Sequence, residues 1–353
     1  MTHGGDAGGG DSAGEVVRLV VEPAEEGIDL DEFLAIRFLL HSKVFLRRVV
    51  REEGVFVGGQ RVDIDRVLRA GDAVEIRWPE RVQVPYAPGP IPFGVLYEDE
   101  HVIAIDKPAR LAVVPERERD GPNLMGGLLH YFAGKRDPHG RPIRPRIVHR
   151  IDKETSGALL VAKSAEAERD LSGQFERREV EKEYWALCLG ELRRPSGTID
   201  KPIAVDPGRR DKMMVSDVNR AKPSITEWKV LERYHGFTLV AAMPKTGRTH
   251  QIRVHLGSIG HPLAVDPLYR GKKEIFLSEI KPGYKRKPAS GEEGAAPPPE
   301  KPVIDRVTLH ARRLAFRSPG RAGERVEVEA PLPKDLHRTL EYLRKYLRRY
   351  SDE

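Results

Sequence analysis

Apolar residues recur every three or four positions in "IDLDEFLAIRFL", setting Leu30, Phe33, Leu34 and Phe38 on one face, and this spacing predicts a helix. Ser42 stands as the N-cap of a second helix, "KVFLRRVVREEG", which Gly54 ends. Two short strands follow, "VFVGGQRV" with a Gly-Gly turn and "DAVEIRW". Two helices and a hairpin make a small module over residues 17–80, after a Gly/Asp/Ser-rich tail (1–16) too polar to fold. Proline and glycine then mark residues 81–94 as an extended linker.

Beyond the linker, strand patterns dominate: "GVLYEDEHVIAIDKP", "ALLVAKS", "EKEYWALCLG", "TEWKVLERY", "FTLVAAMPK", "VTLHARRLAF" and "RVEVEAP". One helix runs from Ser164, with Ala167, Leu171 and Phe175 at four-residue spacing. Another runs from Thr249 as N-cap, with Ile252, Leu256 and Ile259 facing inward. Many strands without a strict strand–helix rhythm predict an α+β domain over residues 95–333. Residues 271–303 interrupt it as an insertion, ordered around Ile275, Phe276, Leu277 and Ile280 and flexible in its Ala-Pro-Pro-Pro half. A basic C-terminal helix (334–353) turns Leu340, Tyr342, Leu343 and Leu347 inward.

Composition narrows the class of molecule. A chain of 353 residues has room for two domains, and no apolar run approaches the roughly 18–20 residues that span a bilayer. There is no basic-then-apolar leader, and a single cysteine, Cys188, leaves no intramolecular disulfide. The expectation is a cytoplasmic protein without a membrane partner. The net charge of +6 matters less than its clustering at Lys43, Arg47, Arg48 and Arg51, at 281–287, and in "RTLEYLRKYLRRY". Such clusters suit a polyphosphate partner, and solvated helix faces produce the same pattern.

Twelve histidines are scattered with neither an H-E-x-x-H pattern nor a Cys/His set, so no metal is expected. No glycine-rich nucleotide cradle and no G-x-S-x-G elbow is present. What remains is three segments. In "HRIDKETSG", Asp152 precedes a turn in which Thr155 and Ser156 can donate hydrogen bonds and Gly157 permits a tight reversal; a surface Asp–Arg pair explains it equally. In "VEKEYWALCLG", Lys182 and Tyr184 alternate onto one strand face, where a tyrosine is ordinarily core. In "KTGRTHQ", Arg248 sits just before a helix, placed either to reach a carboxylate on another strand or to stay solvated.

Taken in order, "HRIDKETSGALLVAK", "EKEYWALCLG" and "GRTHQIRVHLGSIGHPLAVDPLY" resemble the RluA-like family of RNA pseudouridine synthases. "VLYEDEHVIAIDKPARLAVVP" (95–115) is similar to that family's first motif, and the early module resembles the alpha-L RNA-binding module that often precedes its catalytic domain. The resemblance covers about residues 27–333. Its departures are Ile151 for a commoner leucine, and Arg110 and Val114 for a frequent glycine and histidine.

The resemblance implies an α+β catalytic domain with a mixed, mostly antiparallel sheet core and a central cleft, preceded by a small α/β RNA-binding module. It makes Asp152 the catalytic aspartate and Arg248 the basic residue paired with it. Tyr184 becomes the tyrosine that packs on the target base and is implicated in removing its carbon-5 proton. Arg150 is the arginine that displaces the target nucleotide, and Ile252 lines the same pocket. His149 and Thr155 of the same motif join them as expected substrate contacts, with Lys43, Arg47, Arg48 and Arg51 holding the surrounding RNA.

The implied partner is RNA, with large-subunit ribosomal RNA favoured and transfer RNA the alternative, and no obligatory protein partner is evident. Rejoining uracil to ribose through carbon 5 is an isomerisation, so neither cofactor nor metal is expected. An ionised Asp152, oriented by a neighbouring cation, can attack the electron-deficient anomeric carbon or act as a base, and both roles stay open. Two rivals have the same residues available: a non-catalytic RNA-binding protein, and a hydrolase of the glycosidic bond, which ordinarily needs a second carboxylate.

Overall fold

The computed structural model describes residues 16–79, 88–115, 121–218, 220–286, 298–320 and 323–348, arranged as two compact units. In the first unit, Val16–Val20 (β1) leads to Leu30–Arg37 (α1) and Lys43–Glu52 (α2). Val55–Val57 (β2), Gln60–Val62 (β3) and Ala73–Arg77 (β4) complete an antiparallel sheet in the order β1-β4-β2-β3. Local chemistry sets the boundaries. The Asp29 carboxylate accepts from Glu32 N (2.8 Å) at the start of α1, and Ser42 Oγ accepts from Phe45 N (3.2 Å) at the start of α2.

Gly54 follows α2 with φ +87°, and Gly58 and Gly59, at φ +57° and +81°, reverse the β2–β3 hairpin. Leu30, Phe33 and Leu34 pack with Leu46, Val49 and Val50 over Val55, Val74 and Ile76, as the helical spacing predicts. The edge strand β1 escaped the sequence reading. So did the affiliation of Met125–Arg144, which lie inside the expected catalytic span yet belong to this unit. Arg144 ties them in, donating from Nη2 to His41 O (2.7 Å) and from Nη1 to Ala35 O.

The second unit starts with Gly94–Glu98 (β5) and Val102–Lys107 (β6). Leu124–Tyr131 (α3) lies almost wholly in the first unit. The chain then runs through Arg146–Ile147 (β7), Ser156–Ala162 (β8), Ala165–Glu176 (α4), Glu181–Leu189 (β9), Ser196–Asp200 (β10) and the hairpin Ile203–Asp206 (β11) and Arg209–Val215 (β12). It continues as Ile225–Tyr234 (β13), Phe237–Pro244 (β14), Gln251–Ser258 (α5) and Leu277–Ile280 (α6). Leu309–Arg317 (β15), Arg325–Glu329 (β16) and Lys334–Tyr346 (α7) close it.

Among the described residues the large sheet has the order β10-β13-β14-β9-β15-β8-β6-β5, with β16 beside β15 and β7 beside β8. Every pairing in it is antiparallel except β8 with β15. The expected α+β class and mostly antiparallel sheet are therefore met. Ala167 and Leu171 of α4 bury Ala104, Leu160 and Phe316, while Leu336, Leu340 and Leu343 of α7 bury Leu187 and Leu239. Ile275 and Ile280 of the insertion join that second core, and its Ala-Pro-Pro-Pro stretch lies outside the described residues. The β11–β12 hairpin was not foreseen, since its charged "RRDK" run has no apolar alternation. Among the described residues no helix is long and apolar enough to cross a membrane.

The parallel contact is brief. Ser156 and Gly157 face His310 and Ala311, after which β15 leaves β8 for β16. Gly157 has φ +112°, and a Cβ there would lie 2.2 Å from the Ala311 carbonyl oxygen. The backbones can approach this closely only without a side chain. Gly157→Ala should destabilise the protein by about 3 kcal/mol or more, since both the clash and the backbone conformation oppose it. Urea denaturation measures this, and an unchanged midpoint would contradict the close approach.

Candidate active site

The short parallel contact fixes where the preceding loop begins and ends. Residues 148–155 leave β7, pass along the mouth of a cleft of about 590 Å³ and enter β8. Thr155 N donates to Asp152 O (3.0 Å), closing a turn that presents the Asp152 side chain to the cleft. The turn is held from below by Lys107, the fully buried end of β6. Its Nζ donates to Pro108 O (2.8 Å), Leu111 O (2.8 Å) and Lys153 O (3.2 Å), which uses all three ammonium protons. Burial pushes Lys107 down to about 7, against the pull of Glu154 and Asp152.

The cation paired with Asp152 is Arg253, not Arg248. Arg253 Nη1 donates to Asp152 Oδ2 at 3.0 Å, while its Nε and Nη2 grip both oxygens of Asp266 at 2.7 and 2.9 Å. Asp266 is completely buried, so the guanidinium fork is fixed by the core before it reaches the cleft. Burial works against the charge on Arg253, but Asp266 and Asp152 together raise its pKa further. Arg248 lines the cleft, yet its backbone N–H donates to Gln251 Oε1 (3.0 Å) and its Nε to Pro223 O (3.4 Å).

The physical reason is His250. It takes the left-handed conformation (φ +55°) at the start of α5, turning the chain so that Arg253 rather than Arg248 meets the carboxylate. The helix accordingly starts at Gln251, and Thr249 is not its cap. His250 Nε2 lies 3.7 Å from Asp152 Oδ2, and its Nδ1 is 2.8 Å from Tyr269 Oη. Met213 N donates to the same phenol oxygen (2.8 Å).

Tyr184 sits on β9, 9% exposed, and lines the cleft as expected of its strand face. Burial, then the charge of Asp152, pushes its phenol well above the usual tyrosine range. Arg150 and Ile252 also line the cleft, Arg150 exposed and Ile252 buried. His149 lines it too, but its Nε2 accepts from Leu160 N (2.8 Å) and its ring stacks on Phe175 (centroids 4.6 Å). Burial pushes His149 down to about 3, keeping it neutral. Thr155 is buried and its Oγ1 has no hydrogen-bond partner among the described residues, so it does not donate to Asp152.

In the first unit, the basic face of α2 is partly cancelled. Arg47 forms two 2.8 Å bonds with Asp31, and Lys43 lies 3.2 Å from Glu32 and 3.4 Å from Asp31. Arg48 lies 3.7 Å from the exposed Glu52 and 5.5 Å from the centre of the Phe45 ring, and Arg51 is exposed without an ion pair among the described residues. Arg253, His250, Asp266 and Tyr269 were all missed by sequence reasoning. "PLAVDPLY" carried a faint signal, because an aspartate amid apolar residues needs a cation nearby. Among the described residues, no group of three or more His, Cys, Asp or Glu side chains converges as a metal site.

Comparisons with known proteins agree with the fold. A family model described as RNA pseudouridylate synthase matches residues 101–258. An RNA pseudouridine synthase of Bacillus subtilis (strain 168) is 35% identical over 316 residues, 90% of this chain and 94% of its own. The ribosomal large subunit pseudouridine synthase D of Escherichia coli O157:H7 is 33% identical over 336 residues, 93% of this chain and 94% of its own. Among solved structures, human RNA pseudouridylate synthase domain containing 4 shares the fold, with a TM-score of 0.51 at 24% identity over 71% of this chain and 93% of that one. Similarity of this extent, running through the cleft built around Asp152, makes the chain a member of the RNA pseudouridylate synthase family and an RNA pseudouridine synthase of the RluA type.

Proposed function

We propose that this enzyme converts uridine to pseudouridine in large-subunit ribosomal RNA, in the cytoplasm, with Asp152 as the reacting carboxylate. The observation carrying the mechanistic part is the ion pair between Asp152 and Arg253 on the cleft wall shared with Tyr184. The ribosomal target is supported by the similarity to the ribosomal large subunit pseudouridine synthase D of Escherichia coli O157:H7, 33% identical along nearly the whole chain.

The reaction breaks the bond from the anomeric carbon to uracil N1 and makes a bond from that carbon to C5. As N1 leaves, the sugar carbon becomes electron-deficient, and a carboxylate beside it can attack or take a proton. Arg253 fixes the direction of Asp152 Oδ2 at no reorganisation cost, because Asp266 already holds the guanidinium. The detached base must turn without leaving. Tyr184 supplies a flat wall for that, and its high pKa favours the neutral phenol, a packing surface and donor rather than a proton acceptor.

Arg150 fills the space vacated by the flipped base, a role supported by its exposure and its position in the cleft lining. Flipping costs a few kcal/mol, which contacts in the cleft offset. In the first unit Arg48 and Arg51 act as phosphate contacts for the surrounding RNA, with Lys43 and Arg47 already engaged by carboxylates.

Asp152→Asn should lower pseudouridine formation by at least about a thousandfold while RNA affinity stays near wild type. Tritium release from ribosomal RNA labelled at carbon 5 of uridine reads this, and full activity would end the role of Asp152. Release of free uracil would turn the reading toward hydrolysis, and turnover confined to transfer RNA would move the substrate.

Arg253→Lys should cost about a hundredfold in single-turnover rate, because an ammonium cannot span both carboxylates and Asp152 loses its fixed direction. A rate within twofold of wild type would show that the fork is dispensable.

Charge reversal should separate the α2 cations. Arg51→Glu and Arg48→Glu are expected to weaken RNA binding about tenfold each and flatten its salt dependence, with Lys43→Glu weaker in effect. Filter binding across KCl concentrations measures this; equal losses at all three positions would mean that Asp31 and Glu32 do not pre-empt Lys43.

A further inference from the structure

The cleft has a second charged region that the reaction at Asp152 does not use. Lys182 precedes Tyr184 by two residues on β9, so both project from the same face, about 7 Å apart along the strand. It lines the cleft together with Phe175, Arg178 and Glu176 at the end of α4. Its Nζ lies 5.9 Å from the centre of the Phe175 ring, and it has no hydrogen bond or ion pair among the described residues. Arg178, held at φ +61° just past α4, is exposed and likewise has no ion pair among them. Glu176 shares this wall and pairs with neither.

Three nearby cations have carboxylate partners. Arg177 bonds Glu179 at 2.9 and 3.2 Å, Lys245 of the cleft lining lies 2.8 Å from Glu227, and Arg253 is held by two aspartates. A half-buried amine left without a counter-ion is costly, and burial pushes Lys182 down to about 8. The cost is recovered when an anion arrives. In an enzyme acting on RNA, the anion that accompanies every base into the cleft is a backbone phosphate.

We propose that Lys182, assisted by Arg178, forms a phosphate subsite that takes an RNA backbone phosphate adjoining the reacting uridine. The inference rests on the function proposed above and adds a binding contact to it. A contact of this kind positions the nucleotide along the wall while leaving the base free to turn against Tyr184. It carries no sequence information, because every nucleotide presents the same group.

The test uses the full chain with an in vitro transcript of bacterial large-subunit ribosomal RNA. For Lys182→Met, KM should rise about tenfold with kcat within twofold of wild type. In an Asp152→Asn background, the slope of log Kd against log KCl should fall by about one when Lys182→Met is added. Lys182→Arg should restore KM to within about threefold, because it keeps the charge. If Lys182→Met does not fold by circular dichroism, Lys182→Gln goes through the same measurements.

An unchanged salt slope with the wild type active, or a loss confined to kcat, overturns the subsite alone. A wild-type enzyme that forms no pseudouridine in ribosomal or transfer RNA transcripts overturns the substrate reading, and the subsite with it.

Discussion

One guanidinium group organises the cleft. Asp266 is completely buried and would be prohibitively costly as a lone anion, so it needs Arg253. Two of the three donor nitrogens are spent on Asp266, and the geometry of the fork leaves Nη1 directed at Asp152. The orientation of the half-buried carboxylate in the cleft is therefore inherited from a fully buried one. Removing either aspartate changes what the other faces, and the three residues are best regarded as one unit.

The scaffold holds Asp152 from its other side too. The β8–β15 contact lasts for two residue pairs, with Gly157 allowing the backbones to meet, and Ser156 Oγ is 3.0 Å from His310 Nδ1 at the same level. The turn thus has a rigid exit. Lys107 reaches its floor through a backbone carbonyl rather than a side chain, so the position of Lys153 is fixed whatever residue stands there. A rigid sheet supplies position, and the turn supplies chemistry.

Much of this was legible in the sequence wherever the cause is local. The cap at Ser42, the helix that runs from Ser164, the Gly58–Gly59 reversal and the long strands follow from neighbouring residues, and the structure has them. Asp152 and Tyr184 stand together on the cleft as their motifs suggest. The partner of Asp152 was not legible. Choosing between Arg248 and Arg253 depends on a left-handed His250 and on Asp266 thirteen residues beyond Arg253, neither of which periodicity reports. The cancellation of Lys43 and Arg47 by Asp31 and Glu32 is likewise a contact between helices, invisible to charge counting along one of them. Residues 125–144 joined the first unit through Arg144, again a long-range bond.

The link from Met213 through Tyr269 to His250 starts at a backbone amide. Nineteen of the twenty amino acids carry that N–H, and proline alone does not. The side chain at position 213 can therefore change in charge and size while this link, made by the backbone, persists. Substitution on the hairpin and constancy beside the carboxylate are compatible because the connection between them is written in the main chain.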